Sequence, residues 1–99
     1  MQNLNNIKNK LIEKNEFIRF NFNIKEIGIF GSYVRNENTE KSDIDILIDY
    51  DKKAKFTLFD LIKLENYLTE LLGIKVDIAL KNKLKTALEK NILEEVIYI

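Results

Sequence analysis

The spacing of apolar residues changes several times along the chain, and each change marks an element. Leu4, Ile7, Leu11 and then Phe17 or Ile18 recur every three to four positions, which predicts an amphipathic helix from about residue 3 to 15–20. Its end is poorly marked by Asn21-Phe22-Asn23. The run Ile24 to Phe30 is rich in β-branched and aromatic residues and stops at Gly31-Ser32, so it reads as a strand. Tyr33 to Arg35 suffices for one short helical turn, and Asn36 to Ser42 is a wholly polar loop. Asp43 to Tyr50 alternates polar and apolar residues and is rich in Ile, which predicts a second strand. Thr57 with Asp60 three positions on resembles a capping box, with Asp in place of Glu. It opens a helix whose wide apolar face runs from Leu58 to Leu72, and Gly73 stands where a left-handed cap is wanted. Ile74 to Leu80 predicts a third strand. Asn82 can cap a last helix carrying Leu84, Leu88 and Ile92, and Val96 to Ile99 has the composition of an edge strand.

The order α-β-(short turn)-β-α-β-α-(β) describes an α/β (α+β) chain with a small mixed sheet covered by helices. No repeat, low-complexity block or linker interrupts residues 1–99, which read as one domain. At 45% apolar and 32% charged, the chain can bury a core. Its formal charge is zero and evenly spread, whereas neutralising nucleic-acid phosphates calls for a basic excess. Direct nucleic-acid binding is therefore not expected. There is no signal peptide and no apolar run of about 18 residues, so the expectation is a cytoplasmic protein with no membrane association.

The chain contains no His and no Cys. That removes Ser-His and Cys-His catalysis, zinc clusters and disulfides, and leaves oxygen donors as the ligands for any metal. Fourteen Lys, fifteen Ile and twelve Asn stand against two Arg, a skew that coding bias explains. Against that background Arg35 draws notice, because its planar fork suits phosphate or carboxylate in a way Lys does not.

Three short stretches carry the candidate chemistry: Gly31-Ser32, Asp43-Ile44-Asp45 and Asp77. Alternation on a strand points Asp43 and Asp45 one way and Ile44, Ile46 and Ile48 the other. Two close carboxylates repel, and a divalent cation removes the conflict. Asp77 interrupts an apolar strand, where a carboxylate is costly unless paired or metal-bound. If that strand lies beside the second, all three carboxylates meet at one site, a set that suits two hard cations about 3.5–4 Å apart and phosphoryl transfer. Gly31-Ser32 ends a strand and opens a turn whose free amides attract anions, with the Ser32 hydroxyl beside them and Arg35 one turn on. Each piece has a plainer reading. Gly-Ser is an ordinary turn, Asp-x-Asp a solvated strand edge, and Asp77 a partner for Lys75 or Lys81. Arg35 could pair with an acidic neighbour, and Tyr33 could simply be packed or at the surface. Asp49 and Asp51 read as the polar end of a strand. The lysines at 52–55 and 81–85 read as solvated turns and helix ends, and the Leu58–Leu72 stripe as core or partner surface.

In combination the pieces are more specific. Ile29-Phe30-Gly31-Ser32-Tyr33-Val34-Arg35, ten residues between Ser32 and Asp43, then Ser42-Asp43-Ile44-Asp45-Ile46-Leu47 resemble the signature of the minimal nucleotidyltransferase (MNT) family of polymerase-beta-like nucleotidyltransferases. The resemblance covers essentially the whole chain and includes a third acidic residue on a later strand, matched by Asp77. One departure is Asn36, where a Gly usually follows the motif Arg; Asn tolerates the left-handed conformation, so the turn is expected to survive.

The resemblance implies a polymerase-beta-like fold in which Asp43, Asp45 and Asp77 ligate magnesium, two ions in all, and act as the catalytic carboxylates. Gly31, Ser32 and Arg35 would bind the nucleotide, with Ser32 and the Gly31-Ser32 backbone on the β- and γ-phosphates. The implied reaction is hydroxyl attack on the α-phosphate of a nucleoside triphosphate, with release of pyrophosphate. Small members resemble antitoxins that act on HEPN-domain ribonuclease toxins, some by adenylylating a toxin tyrosine with ATP. Three functions stay open at this point. They are a protein adenylyltransferase antitoxin, an antitoxin that neutralises by binding alone, and a catalytic subunit acting on a small molecule or an RNA end. With 99 residues, little surface remains for an acceptor pocket, so acceptor recognition is expected to come from a protein partner.

Overall fold

The structure is a computed structural model describing residues 3–99. Four strands form one mixed sheet: β1 (Ile24–Phe30), β2 (Ile44–Tyr50), β3 (Val76–Leu80) and β4 (Ile97–Tyr98), in the order β3-β2-β1-β4. β1 runs antiparallel to both β2 and β4, while β2 and β3 are parallel. The parallel pair is joined by the long helix α3 (Leu58–Leu72), because a parallel connection needs a crossover that a hairpin turn cannot supply.

One face of the sheet holds the core. Ile27 and Ile29 of β1, Ile44, Ile46 and Ile48 of β2, and Val76 of β3 pack beneath three helices. Those helices contribute Ile7, Leu11, Ile18, Leu64, Leu68 and Leu72, all fully buried. The alternation of β2 therefore lands as the sequence predicts, with its isoleucines inward. β1 also coincides with its expected range, whereas β2 and β3 begin slightly later than predicted.

The capping box of α3 is present in both directions: Thr57 Oγ1 accepts from the Asp60 amide, and the Asp60 carboxylate accepts from the Thr57 amide at 2.7 Å. Gly73 ends the helix at φ +71°. The α3 stripe divides between two roles, since Leu64, Leu68 and Leu72 are core while Leu58, Phe59 and Ile62 are exposed. Two other α3 side chains face the sheet's margin. Thr69 Oγ1 accepts from the Val76 amide at 3.1 Å, and the Glu65 carboxylate accepts from the Ile78 amide at 3.3 Å. Both amides belong to β3, the outermost strand on that side.

Two expectations need correction. The first helix is broken at Lys14 into α1 (Leu4–Glu13) and α2 (Asn15–Phe22), because Lys14 leaves helical geometry at φ −102°, ψ 10°. Leu11 and Ile18, on either side of the break, are both fully buried in the core. The stop that the sequence marks poorly is Asn23, left-handed at φ +55°. Secondly, Asn82 caps nothing. It lies in a single 3-10 turn (Lys81–Lys83) that follows β3 directly, and its amide donates to Tyr50 Oη at 2.8 Å. The last helix, α4, begins only at Thr86 and runs to Glu95, with no side-chain cap at Lys85. Among the described residues no helix is long and apolar enough to cross a membrane.

Candidate active site

β1 delivers Phe30 opposite Asp45 of β2, and Asp45 is in register with Asp77 of β3. Registered residues on parallel strands share a face and are separated by about one strand spacing, roughly 4.8 Å. Asp45 and Asp77 are therefore side-by-side neighbours on the face away from the core. The condition left open by the sequence, that β3 lie beside β2, is met. Asp43 is the exposed residue just before β2, where the chain is held by the Ile44 amide donating to Lys75 O at 2.9 Å.

Asp45 shows how closely these charges interact. Burial first, then repulsion from Asp77 and Asp43, pushes its carboxyl up to about 6 from an ordinary 3.8. Neither Lys75 nor Lys81 forms an ion pair with Asp77 among the described residues. Lys81 instead donates to Glu26 at 2.9 Å and to Tyr98 Oη at 3.1 Å. The trio is thus a negative cluster without an ion-paired lysine, which the Arg35 charge only partly offsets at Asp45. Its oxygen donors suit hard divalent cations such as magnesium, and the chain has no His or Cys to offer a softer ligand. Among the described residues no group of three acidic side chains is arranged so as to hold a metal ion, so the expected convergence of Asp43, Asp45 and Asp77 on shared cations is not seen as a formed site.

Beside Asp45 the chain turns sharply. Gly31 has φ +85°, and a Cβ placed there would stand 2.1 Å from Asp45 Oδ2. Glycine is required both by the backbone conformation and by the space the carboxylate fills. Gly31 O then accepts the amides of Val34 and Arg35, each at 3.1 Å, and Ser32 O accepts that of Glu37 at 2.9 Å. The expected short helical turn is therefore a tight turn and not a helix. Asn36 sits in it at φ +59°, taking the left-handed conformation expected of a residue that stands in for Gly. The amides of Ser32 and Tyr33 carry no hydrogen bond among the described residues, which leaves them as anion donors next to the carboxylates. Tyr33 itself is packed in the core, 4% exposed, and burial with the nearby Asp43 charge raises its pKa.

Arg35 takes acidic partners. Its Nε donates to Glu37 at 2.8 Å, and its Nη1 donates to both carboxylate oxygens of Glu95, at 3.0 and 3.1 Å. Glu95, at the end of α4, also accepts the Gly31 amide at 2.6 Å. Nothing in the sequence motif singled out Glu95, which lies 64 positions from Gly31. Its signal was indirect. If the final strand pairs antiparallel with β1, the residue just before that strand must face the end of β1. Gly31, Arg35, Asp45, Leu88, Ile92 and Glu95 border an open recess of about 340 Å³. The plainer readings hold elsewhere: Asp51 accepts the Lys53 amide at 2.9 Å within a turn, and Lys52, Lys53 and Lys55 are exposed.

Comparison with known proteins agrees with this geometry. A model of the nucleotidyltransferase domain matches residues 11–99. The protein adenylyltransferase MntA of Thermococcus cleftensis is 42% identical over 99 residues, covering all of this chain and 98% of that protein. A candidate protein adenylyltransferase of Methanocaldococcus jannaschii is 48% identical over 100 residues, spanning both chains completely. Among solved structures, a candidate minimal nucleotidyltransferase superposes with a TM-score of 0.81 at 28% identity, over 97% of this chain and 95% of the other. At lower identity the fold alone is shared. A toxin–antitoxin complex with AMP-PNP matches at TM-score 0.73 and 24% identity, over 91% of this chain and 69% of that one. An MNT antitoxin bound to the tri-AMPylated HEPN toxin of Shewanella oneidensis matches at TM-score 0.61 and 19% identity, over 90% of this chain and 70% of that one. With a mixed four-stranded sheet, paired carboxylates beside a Gly-Ser turn, and relatives matched end to end, the chain belongs to the nucleotidyltransferase family and carries the minimal form of its fold.

Proposed function

We propose that this nucleotidyltransferase is a magnesium-dependent protein adenylyltransferase that uses ATP and serves as the antitoxin of a HEPN-type toxin. The observation that carries the reading is the pairing of Asp45 with Asp77 directly beside the Gly31-Ser32 turn. Asp43, Asp45 and Asp77 would hold the cations, which supply Lewis-acid stabilisation of the charge on the reacting phosphate and lower the pKa of the attacking hydroxyl. The chain's own part is positional. The Ser32 hydroxyl and the Ser32 and Tyr33 amides bind the triphosphate, and the open face above Asp45 admits the acceptor. A tyrosine hydroxyl of the partner gives up its proton to solvent and bonds through its oxygen to the α-phosphorus, the bond from that phosphorus to the oxygen bridging to the β-phosphorus breaks, and pyrophosphate leaves. The names of the relatives support a protein acceptor, and the toxin complexes of the structural neighbours support the partner class.

Neutralisation by binding alone is the second reading, favoured by the exposed apolar residues Leu58, Phe59 and Ile62 at the start of α3. The two separate in one experiment. The wild-type chain, incubated with ATP, magnesium and a co-encoded HEPN-type protein, should add one or more AMP masses to a tyrosine of that protein. The double variant Asp43→Asn/Asp45→Asn should still bind the partner, add no mass and give no protection to cells. Full protection by a double variant confirmed unable to transfer nucleotide would leave only the binding reading.

A further inference from the structure

Glu95 completes a hydrogen-bond ladder that the backbone leaves unfinished. β1 and β4 pair through Gly28 with Tyr98 and Ile29 with Ile97, and the Ile99 amide donates to Ile27 O at 2.8 Å. The alternation of an antiparallel ladder directs the polar groups of residues 27, 29 and 31 toward β4. The next rung would give the Gly31 amide a carbonyl from β4, but the chain has already turned into α4. The Glu95 carboxylate takes that place at 2.6 Å. The same carboxylate holds Arg35 from the other end of the turn, at 3.0 and 3.1 Å. One side chain therefore ties both ends of the turn that contains Ser32. Gly31 and Arg35 are further joined by the Arg35 amide on Gly31 O at 3.1 Å, so the loop is closed by backbone and side chain together.

We propose that Glu95 is a positioning residue for the nucleotide: it fixes the Gly31–Arg35 turn in the plane of the sheet, so that the Ser32 and Tyr33 amides are the donors presented to phosphate. The proposal rests on the nucleotidyltransferase reading of the site and deepens it. Its consequence is a division of labour. The Gly31 amide and the Arg35 guanidinium support the turn, while Ser32 and its neighbouring amide meet the substrate. The competing idea is that Glu95 occupies donors a phosphate must take, which makes it an internal competitor. The geometry opposes this, because the Gly31 amide points along the sheet toward β4, whereas Asp45 lies against the Cα of Gly31 on the sheet's face. The two ideas predict opposite signs.

The test uses the full chain labelled with nitrogen-15, with Glu95→Ala and Glu95→Gln beside wild type. Only three glycine amides are present, which makes the Gly31 resonance readily assigned. Without metal or nucleotide, Glu95→Ala should move the Gly31 resonance upfield out of the range of a charge-assisted bond. Glu95→Gln, which keeps an acceptor oxygen, should move it less. Affinity for magnesium-ATP should fall on the order of ten- to a hundredfold in Glu95→Ala, because misplaced donors lose geometry at the ligand. The loss in Glu95→Gln should be smaller. Should the alanine variant fail to fold, the glutamine variant carries the test alone through the same two readouts. Tighter nucleotide binding in either folded variant would overturn the proposal in favour of competition. An unmoved Gly31 resonance with unchanged affinity would overturn it outright. If the wild-type chain binds no nucleotide, the underlying reading of the site fails too, an outcome distinct from wild-type binding that the variants leave unaltered.

Discussion

Replacing Gly31 by Ala tests the contact on which the site is built. The substitution forces alanine into φ +85° and sets its Cβ 2.1 Å from Asp45 Oδ2, 2.9 Å from Cγ and 3.1 Å from Cβ of the same residue. Left-handed backbone costs an L-residue roughly 1–2 kcal/mol. The carboxylate must also rotate away from its preferred position, at roughly 0.5–1.5 kcal/mol. Together these amount to about 2–3 kcal/mol, which in a chain of this size lowers the melting temperature by roughly 10–20 °C. Urea unfolding followed by circular dichroism, in chelator, measures the loss. The decisive form is a cycle with Asp45→Ala, which removes Oδ2 and Cγ but leaves the Asp45 Cβ. In that background the Gly31→Ala cost should shrink by about 1 kcal/mol, the coupling expected of directly touching groups, while the backbone part persists. Nucleotidyl transfer should fall further than the stability change explains, because Asp45 is displaced in the folded molecule. An equal cost of Gly31→Ala in both backgrounds would refute the reasoning, since the glycine would then not be making room for the carboxylate.

Two further outcomes follow from the same face of the sheet. The folded chain retains a proton on Asp45 up to about pH 6, whereas the unfolded chain releases it near 3.8. Metal-free stability should therefore fall as pH rises through that window, by about 1 kcal/mol once solvent screening of the half-buried carboxylate is allowed for. Urea midpoints for wild type and Asp45→Asn across pH 4–7 check this, because the asparagine variant should lack that part of the slope and be the more stable at pH 7. Ser32→Ala should leave the fold intact and weaken magnesium-ATP binding by about 1–3 kcal/mol, the range for a hydrogen bond to a charged acceptor. Titration calorimetry reads it, and equal ATP affinity in magnesium and in chelator would count against the site altogether.

How much of this was legible beforehand depended on whether the determinant was local. Thr57 with Asp60, Gly73, and Asn36 in place of Gly are each decided within a few residues, and each appears as the local chemistry requires. The isoleucines of β2 could be assigned to the core because alternation alone decides their face. Asp77 was different. Its position beside Asp45 depends on strand order, which no local pattern encodes, so the sequence offered only a conditional. The break at Lys14 was hidden because apolar spacing continues across it and Lys is an acceptable helix former. Asn82 misled for the opposite reason. A good capping residue stood in a suitable place, but the turn after β3 claimed it first. Glu95 and Arg35 meet across 60 positions, a distance at which the sequence holds composition but no geometry.

The acceptors that α3 sets along the outside of β3 have a consequence for how copies of this protein can associate. A filament assembled by joining sheets end to end consumes two open margins per copy, one to give and one to receive. Here Thr69 and Glu65 already hold the outward amides of Val76 and Ile78. A second chain arriving at that margin would have to break both bonds before forming its own. Stacking of sheets is stopped after one addition, and the strand carrying Asp77 is kept from being drawn into another molecule's sheet. Any partner that reaches the carboxylates must come over the face of the sheet, by its side chains, and leave the backbone pairing of β3 as it stands.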